Sequence, residues 1–164
     1  EGKNKFLFGG MQMIRMATIN DIDSLVKLRI KLLNEAKKNI GNYNWDKYSQ
    51  TLKCYYNDGL LNGDVVAFLA EENENIVAIS IMCFYNICPS LFNLDGKIAL
   101  ITDMYTVPEY RNKGLGSRLL SNIMERAKNL GYTKVTLNAT DAGRRLYEKY
   151  DFKDVTGEMS YKFI

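Results

Sequence analysis

The chain contains no histidine. Imidazole is the usual base of serine and cysteine hydrolases and a common zinc ligand. Its absence therefore excludes Ser-His-Asp and Cys-His catalysis and most zinc chemistry together. Cysteine is scarce. Cys54, Cys83 and Cys88 are odd in number and match no zinc spacing. They are expected to be reduced, mostly buried thiols of a cytoplasmic protein, and no metal site is expected. No run of about 18 apolar residues occurs, so no membrane span or membrane partner is expected. No N-terminal stretch has the basic, apolar and small-residue order of a secretion signal. Charge of one sign is lacking too. A net charge of +3 is too small to argue for a nucleic-acid partner, although it leaves room for a local basic patch.

What is present is ordinary for a globular domain. The chain has 164 residues, 46% hydrophobic and 25% charged, which suits one domain around one sizeable core. Residues 1–12 fit nothing that follows. They read as a tag remnant or a loose N-terminal extension, with a start near Met11 or Met13. Residues 13–164 then form the single domain, without internal repeats, low-complexity tracts or linkers.

Met13 to Met16 is a short candidate strand. Thr18 and Asp21 have capping-box spacing ahead of a helical pattern through Ile22, Leu25, Val26, Leu32, Leu33 and Ala36. A second helix carries Trp45, Tyr48, Leu52, Tyr55, Tyr56 and Leu60 and stops at Gly63. Val65 to Glu72 and Ile76 to Tyr85 read as strands joined by a turn at Asn73-Glu74-Asn75. A loop from Cys88 to Gly96 leads into the longest strand, Lys97 to Val107, which Pro108 ends. Leu115, Leu119, Leu120, Ile123, Met124, Ala127 and Leu130 form one apolar helical face closed by Gly131. Thr133 to Ala139 alternates as a strand, and Asp141 is placed to cap a helix with Leu146, Tyr147 and Tyr150. Phe152 to Val155 and Met159 to Ile164 are expected as closing strands. The order β-α-α-β-β-β-α-β-α-β-β predicts an α/β fold of the α+β kind, a mixed sheet with helices on both faces.

One segment carries chemistry. Arg111-Asn112-Lys113-Gly114-Leu115-Gly116-Ser117 joins the longest strand to the most amphipathic helix. A helix start offers unpaired N–H groups and a positive dipole end, and glycines let a phosphate approach them. Arg111, Lys113 and Arg118 add positive charge. Taken alone, such glycines equally serve as a plain turn with solvated charges. Two phosphate motifs are excluded. The dinucleotide pattern lacks its third glycine, because Leu119 stands there, and no Lys-Ser or Lys-Thr follows as a P-loop requires.

Arg111, Gly114 and Gly116 match the R/Q-x-x-G-x-G/A signature of GNAT acetyltransferases, and the preceding Met104-Tyr105-Thr106-Val107-Pro108-Glu109-Tyr110 resembles that family's fourth strand. Leu146-Tyr147-Glu148-Lys149-Tyr150-Asp151-Phe152 is similar to a second family block, and the element order agrees. The wording resembles a bacterial branch whose members mostly lack an assigned substrate. Two departures stand out. Asp151 replaces a frequent glycine, and Thr140 replaces a frequent asparagine that reaches toward the cofactor.

The resemblance implies an N-acetyltransferase fold and acetyl-CoA (CoA) as cofactor. The backbone of Tyr105, Thr106 and Val107 would pair with the pantetheine arm. Arg111 and the N–H groups of Asn112, Lys113, Gly114, Leu115, Gly116 and Ser117 would hold the pyrophosphate, with Thr140 or Asn138 as a further contact. An acceptor amine, on a small molecule or a peptide, would attack the thioester directly in a ternary complex. Tyr147 is the implied acid for the leaving thiolate, although by position alone it is also a core tyrosine. Asp103 interrupts an apolar strand and is a candidate base, or else a hydrogen-bonded structural aspartate. A protein or peptide acetyltransferase and a non-catalytic acyl-CoA-binding regulatory module are the rival readings. Relatives of this type are often homodimers.

Overall fold

The computed structural model describes residues 13–36, 43–155, 159–161 and 163. Its elements run β1 (Met13–Met16), α1 (Ile22–Ala36), α2 (Trp45–Asn62), β2 (Val65–Glu72), β3 (Asn75–Asn86), β4 (Lys97–Thr106), α3 (Leu115–Asn129), β5 (Val135–Leu137) and α4 (Asp141–Glu148). Short 3₁₀ turns occupy Ile19–Asp21 and Pro108–Tyr110. The expected order is therefore found from β1 through α4.

The strands form one sheet in chain order. The β1–β2, β2–β3 and β3–β4 pairs are antiparallel, whereas β4 and β5 are parallel. A parallel neighbour needs a crossover, and α3 supplies it. Asn73 and Glu74 turn β2 into β3 with φ of 50° and 63°, the left-handed torsions that match the twist of a tight hairpin.

The period of two along β2 divides the core. Val66, Phe68 and Ala70 pack with Leu115, Leu119, Leu120, Ile123 and Ala127 of α3 on one face. Val65, Ala67 and Leu69 pack with Leu25, Val26 and Leu28 of α1 and Leu52 and Tyr56 of α2 on the other. Neither face is left to water over the sheet's centre, so β2 is buried along six consecutive residues.

Three expectations need correction. Residues 152–155 form no strand, and neither do 159–161 or 163, while 162 and 164 lie outside the described residues, as do residues 1–12. Val155, Met159, Tyr161 and Phe163 are 84, 95, 82 and 86% exposed. Alternating apolar residues fit a pleated surface, but a strand needs backbone partners, and these residues have no ladder. The cysteines are not mostly buried either. Cys54 and Cys88 are exposed and Cys83 is half-buried, all as free thiols. Cys54 lies off the stripe that buries Leu52 and Tyr56. Finally, Thr140 rather than Asp141 caps α4, accepting a hydrogen bond from the Gly143 N–H.

The β1 end is held by charge. Arg15 donates from both Nη atoms to Asp21 at 2.8 Å and from Nε to Glu71 at 3.1 Å. Asp21 also accepts from the Thr18 N–H at 2.8 Å, completing the capping box. The Arg15 hydrogen bond, outweighing the effect of burial, holds the Asp21 carboxyl down at about 2. Because the folded value lies below the unfolded one, this contribution is present above about pH 4 and fades as the pH falls toward 2. Asp21→Asn is expected to lower stability by on the order of 1–2 kcal/mol at pH 7 and to shrink the acid-induced loss, as urea unfolding at pH 7 and pH 3 would measure.

Candidate active site

The β4–β5 pairing is brief. It joins Ala99 to Val135, Leu100 to Thr136 and Ile101 to Leu137, and ends there. Beyond Ile101, β4 continues to Thr106 while paired to β3. The two parallel strands part, and the edge of β4 that faced β5 is left without a strand among the described residues.

The parting coincides with an extra residue. Ile81 pairs with Asp103 but Met82 pairs with Ile101, so Thr102 is skipped in the register with β3 and forms a bulge. Ala99 and Ile101 face α3, as does Met104, which an unbroken period of two would turn away. Past the bulge, Tyr105 packs on the α1–α2 side. Asp103 shares that side and is 1% exposed. Its carboxylate is ion-paired with Arg29 of α1. It accepts at 3.1 Å from the Thr102 hydroxyl and also receives a hydrogen bond from Tyr56. Arg29 Nε donates to the Tyr48 hydroxyl at 2.9 Å. Burial pushes the Asp103 carboxyl up, and outweighs the opposing pull of the Arg29 guanidinium and of the Thr102 and Tyr56 hydrogen bonds.

At the far end of β4, Val107 leads through the Pro108–Tyr110 turn into the glycine loop. Asn112 and Gly114 have φ of 60° and 79°. Gly114 is the N-cap of α3, and a Cβ built there would meet nothing within 4 Å. Its torsion calls for glycine, yet no protein atom fills the space beside it. Gly116 is different, because a Cβ there would lie 3.3 Å from Leu146 Cδ2 of α4. The first N–H groups of α3 have no partner inside the helix. Lys113 lies with its ammonium 4.9 Å from the Tyr110 ring centroid.

Arg111 does not point freely into this loop. Its Nε donates to the Thr106 carbonyl at 2.9 Å, and Nη2 reaches Glu35 of α1 at 2.5 Å. The Tyr105 hydroxyl donates to the same Glu35 carboxylate at 2.5 Å. Arg111 thus ties the end of β4 to the end of α1.

Tyr147 lies on α4 and is buried, with its ring against Gly143 and edge-on to Phe152. Burial, and then the negative charge of Asp103, push its hydroxyl above the ordinary tyrosine value. With Asn138 it lines a groove of about 820 Å³ along β5 and α4. Tyr105, Thr106 and the glycine loop lie outside that groove's lining. The Thr140 hydroxyl is occupied as the α4 cap. The Tyr150 hydroxyl donates to the Ser117 carbonyl at 2.9 Å and shares a hydrogen bond with Ser121, locking the turn after α4 onto the first turns of α3.

Sequence reasoning missed Arg29, Glu35 and Tyr150 as participants. Arg29 had a legible signal. It sits three residues after Val26 and four after Leu25, on the buried face of α1, where an arginine needs a partner. Glu35 carried no comparable signal.

A helix start whose glycine leaves its Cβ space empty, a β4 edge without a neighbouring strand among the described residues and a buried tyrosine on α4 now stand together. The model of the acetyltransferase (GNAT) family matches residues 30–152. The chain belongs to the GNAT acetyltransferase family. It is an acyl-CoA-dependent N-acyltransferase. This GNAT chain is 29% identical over 116 residues to the uncharacterized N-acetyltransferase YhfO of Bacillus subtilis, covering 68% of this chain and 74% of that one. It is 28% identical over 74 residues to the thialysine N-epsilon-acetyltransferase of Mus musculus, covering 42% and 44% of the two chains. A predicted acetyltransferase of Clostridium acetobutylicum, solved with acetyl-CoA, superposes with a TM-score of 0.86 at 31% identity, over 93% of this chain and 96% of that one.

The capping geometry of α4 makes one expectation specific. Thr140→Ala is expected to cost about 1 kcal/mol of stability, and Thr140→Ser much less, in urea unfolding.

Proposed function

We propose that this GNAT enzyme moves the acetyl group of acetyl-CoA to a primary amine on a small molecule, by direct attack in a ternary complex. The observation that carries this reading is the parting of β4 and β5 at the bulge, directly upstream of an open helix start. The residues fit the cofactor. Gly114 keeps its Cβ space empty where a phosphate would approach, and the N–H groups of Asn112 to Ser117 supply donors. Lys113 adds charge. The backbone of Tyr105 to Val107 offers an edge for the pantetheine arm, although the Thr106 carbonyl now accepts from Arg111. Asn138 borders the groove and is a further contact, whereas Thr140 serves through its cap. The similar Clostridium acetyltransferase bound to acetyl-CoA supports the choice of cofactor.

When bound, the cofactor supplies the thioester carbonyl that the amine attacks. A β4 N–H near the bulge stabilises the charge that develops on the carbonyl oxygen. Tyr147 holds a proton for the departing sulfur. Its upward-shifted hydroxyl stays protonated at neutral pH, as an acid must. Asp103 is the carboxylate closest to this chemistry on β4, and we assign it to the removal of the acceptor's proton. The aromatic residues Trp45 and Tyr48 of α2 and Tyr43 before it stack edge-on beside Arg29, and so wall the acceptor side.

CoA release measured over a panel of amines and N-terminal peptides tests the reading. Turnover with small amines supports it, and turnover with peptides alone would assign a peptide acceptor. Tight acetyl-CoA binding without any turnover would leave a binding module instead. Gly114→Glu places bulk and negative charge where the pyrophosphate sits, so calorimetry should show acetyl-CoA affinity falling by about tenfold or more. Tyr147→Phe should lower kcat by about 100-fold while leaving acetyl-CoA affinity near that of the wild type.

A further inference from the structure

A carboxylate with 1% exposure in a hydrophobic wall is costly, and a buried ion pair seldom repays the cost in stability. Replacing Asp103 and Arg29 with packed apolar side chains would serve the fold equally well. The pair instead sits at the bulge, where β4 and β5 part, and its charge reaches Tyr147 across the cleft. Arg29 has itself been fixed. Its Nε is bonded to Tyr48 of α2, and the guanidinium is largely enclosed, with its side chain 23% exposed.

We propose that Arg29 is a positioning residue for the acyl transfer: its guanidinium fixes the Asp103 carboxylate at the bulge of β4, and Tyr48 in turn fixes Arg29. This rests on the assignment of Asp103 to the reaction made above. The groups facing Asp103 are Arg29 from α1, Tyr56 from α2, Cys83 from β3, Thr102 beside it and Tyr147 from α4, while Tyr48 is bonded to Arg29 and Tyr55 to Cys83. Burial pushes Tyr55 up to about 12 and also raises Tyr56, Tyr147 and the Cys83 thiol. These groups are neutral near pH 7. A guanidinium is always charged, so Arg29 is the facing group whose charge offsets the burial of Asp103.

Two measurements on the intact chain test this. In protein carrying ¹³C-labelled aspartate, the Asp103 carboxyl resonance, assigned by its loss in Asp103→Asn, is followed against pH. Arg29→Met should move its midpoint up by about 1–3 units, because burial is then opposed only by the hydrogen bonds from Thr102 and Tyr56. An unmoved midpoint overturns the proposal. The second measurement is the pH profile of kcat/KM with acetyl-CoA and the panel amine that gives the highest CoA release. Its acid limb should move to higher pH in Arg29→Met, with kcat down at least tenfold and the KM for acetyl-CoA little changed. Arg29→Lys keeps the charge but loses the planar fork. It should leave the midpoint within about half a unit yet lower kcat severalfold. This variant also decides the matter should Arg29→Met fail to fold, and a wild-type rate in Arg29→Lys overturns the positioning role. If Asp103→Asn keeps the wild-type rate, the assignment of Asp103 itself fails. If Asp103→Asn is impaired and Arg29→Met keeps both rate and midpoint, only the role of Arg29 fails.

Discussion

One unpaired residue in β4 organises this molecule. Thr102 is skipped in the register with β3, and the pleat changes phase at that point. Without it, Asp103 and Tyr105 would turn into the apolar face beneath α3, among Val66, Phe68, Leu119 and Ile123. With it, they turn toward α1 and α2, which supply Arg29, Tyr56 and Glu35. The same bulge lies where β5 stops following β4. The cleft and the polar cluster beside it therefore have one cause in the backbone.

The fold around this point is conventional in its physics. Alternation along β2 serves two cores at once, and α3 closes one of them with a continuous apolar stripe. The polar devices sit at the margins. Arg15 clamps β1 to the turn before α1, Thr140 starts α4, and Arg111 joins the end of β4 to the end of α1. The last of these is exposed on both partners, so it contributes direction more than stability.

Much of this was legible in the residues. The helices announced themselves through periodicity, and the glycine loop through its place between a strand and an amphipathic helix. Pro108 marked the end of β4 and Gly63 the end of α2. The bulge was not legible, because a run such as Ile101-Thr102-Asp103-Met104 keeps its apolar character whichever face each residue meets. For the same reason Asp103 was noticed while its partner was not. Helical spacing puts Arg29 on the buried face, but only the tertiary fold says which charge awaits it. Arg111 was expected on the phosphate side, and its hydrogen bonds to Thr106 and Glu35 reflect an α1 end brought near by packing between distant segments. The C-terminal strands fail for the opposite reason: local propensity is present, but among the described residues no strand pairs with them.

The lock between Tyr150 and the first turns of α3 has a mechanical meaning. Two hydroxyl contacts and the close approach of Gly116 to Leu146 make the start of α3 and the tyrosine-bearing α4 segment a single stiff arm. The spacing between the glycine loop and Tyr147 is thereby set like the span of a caliper. On the opposite side, α1 and α2 meet the sheet through the apolar side chains of Leu25, Val26, Leu28, Leu52 and Tyr56, with no such hydroxyl lock.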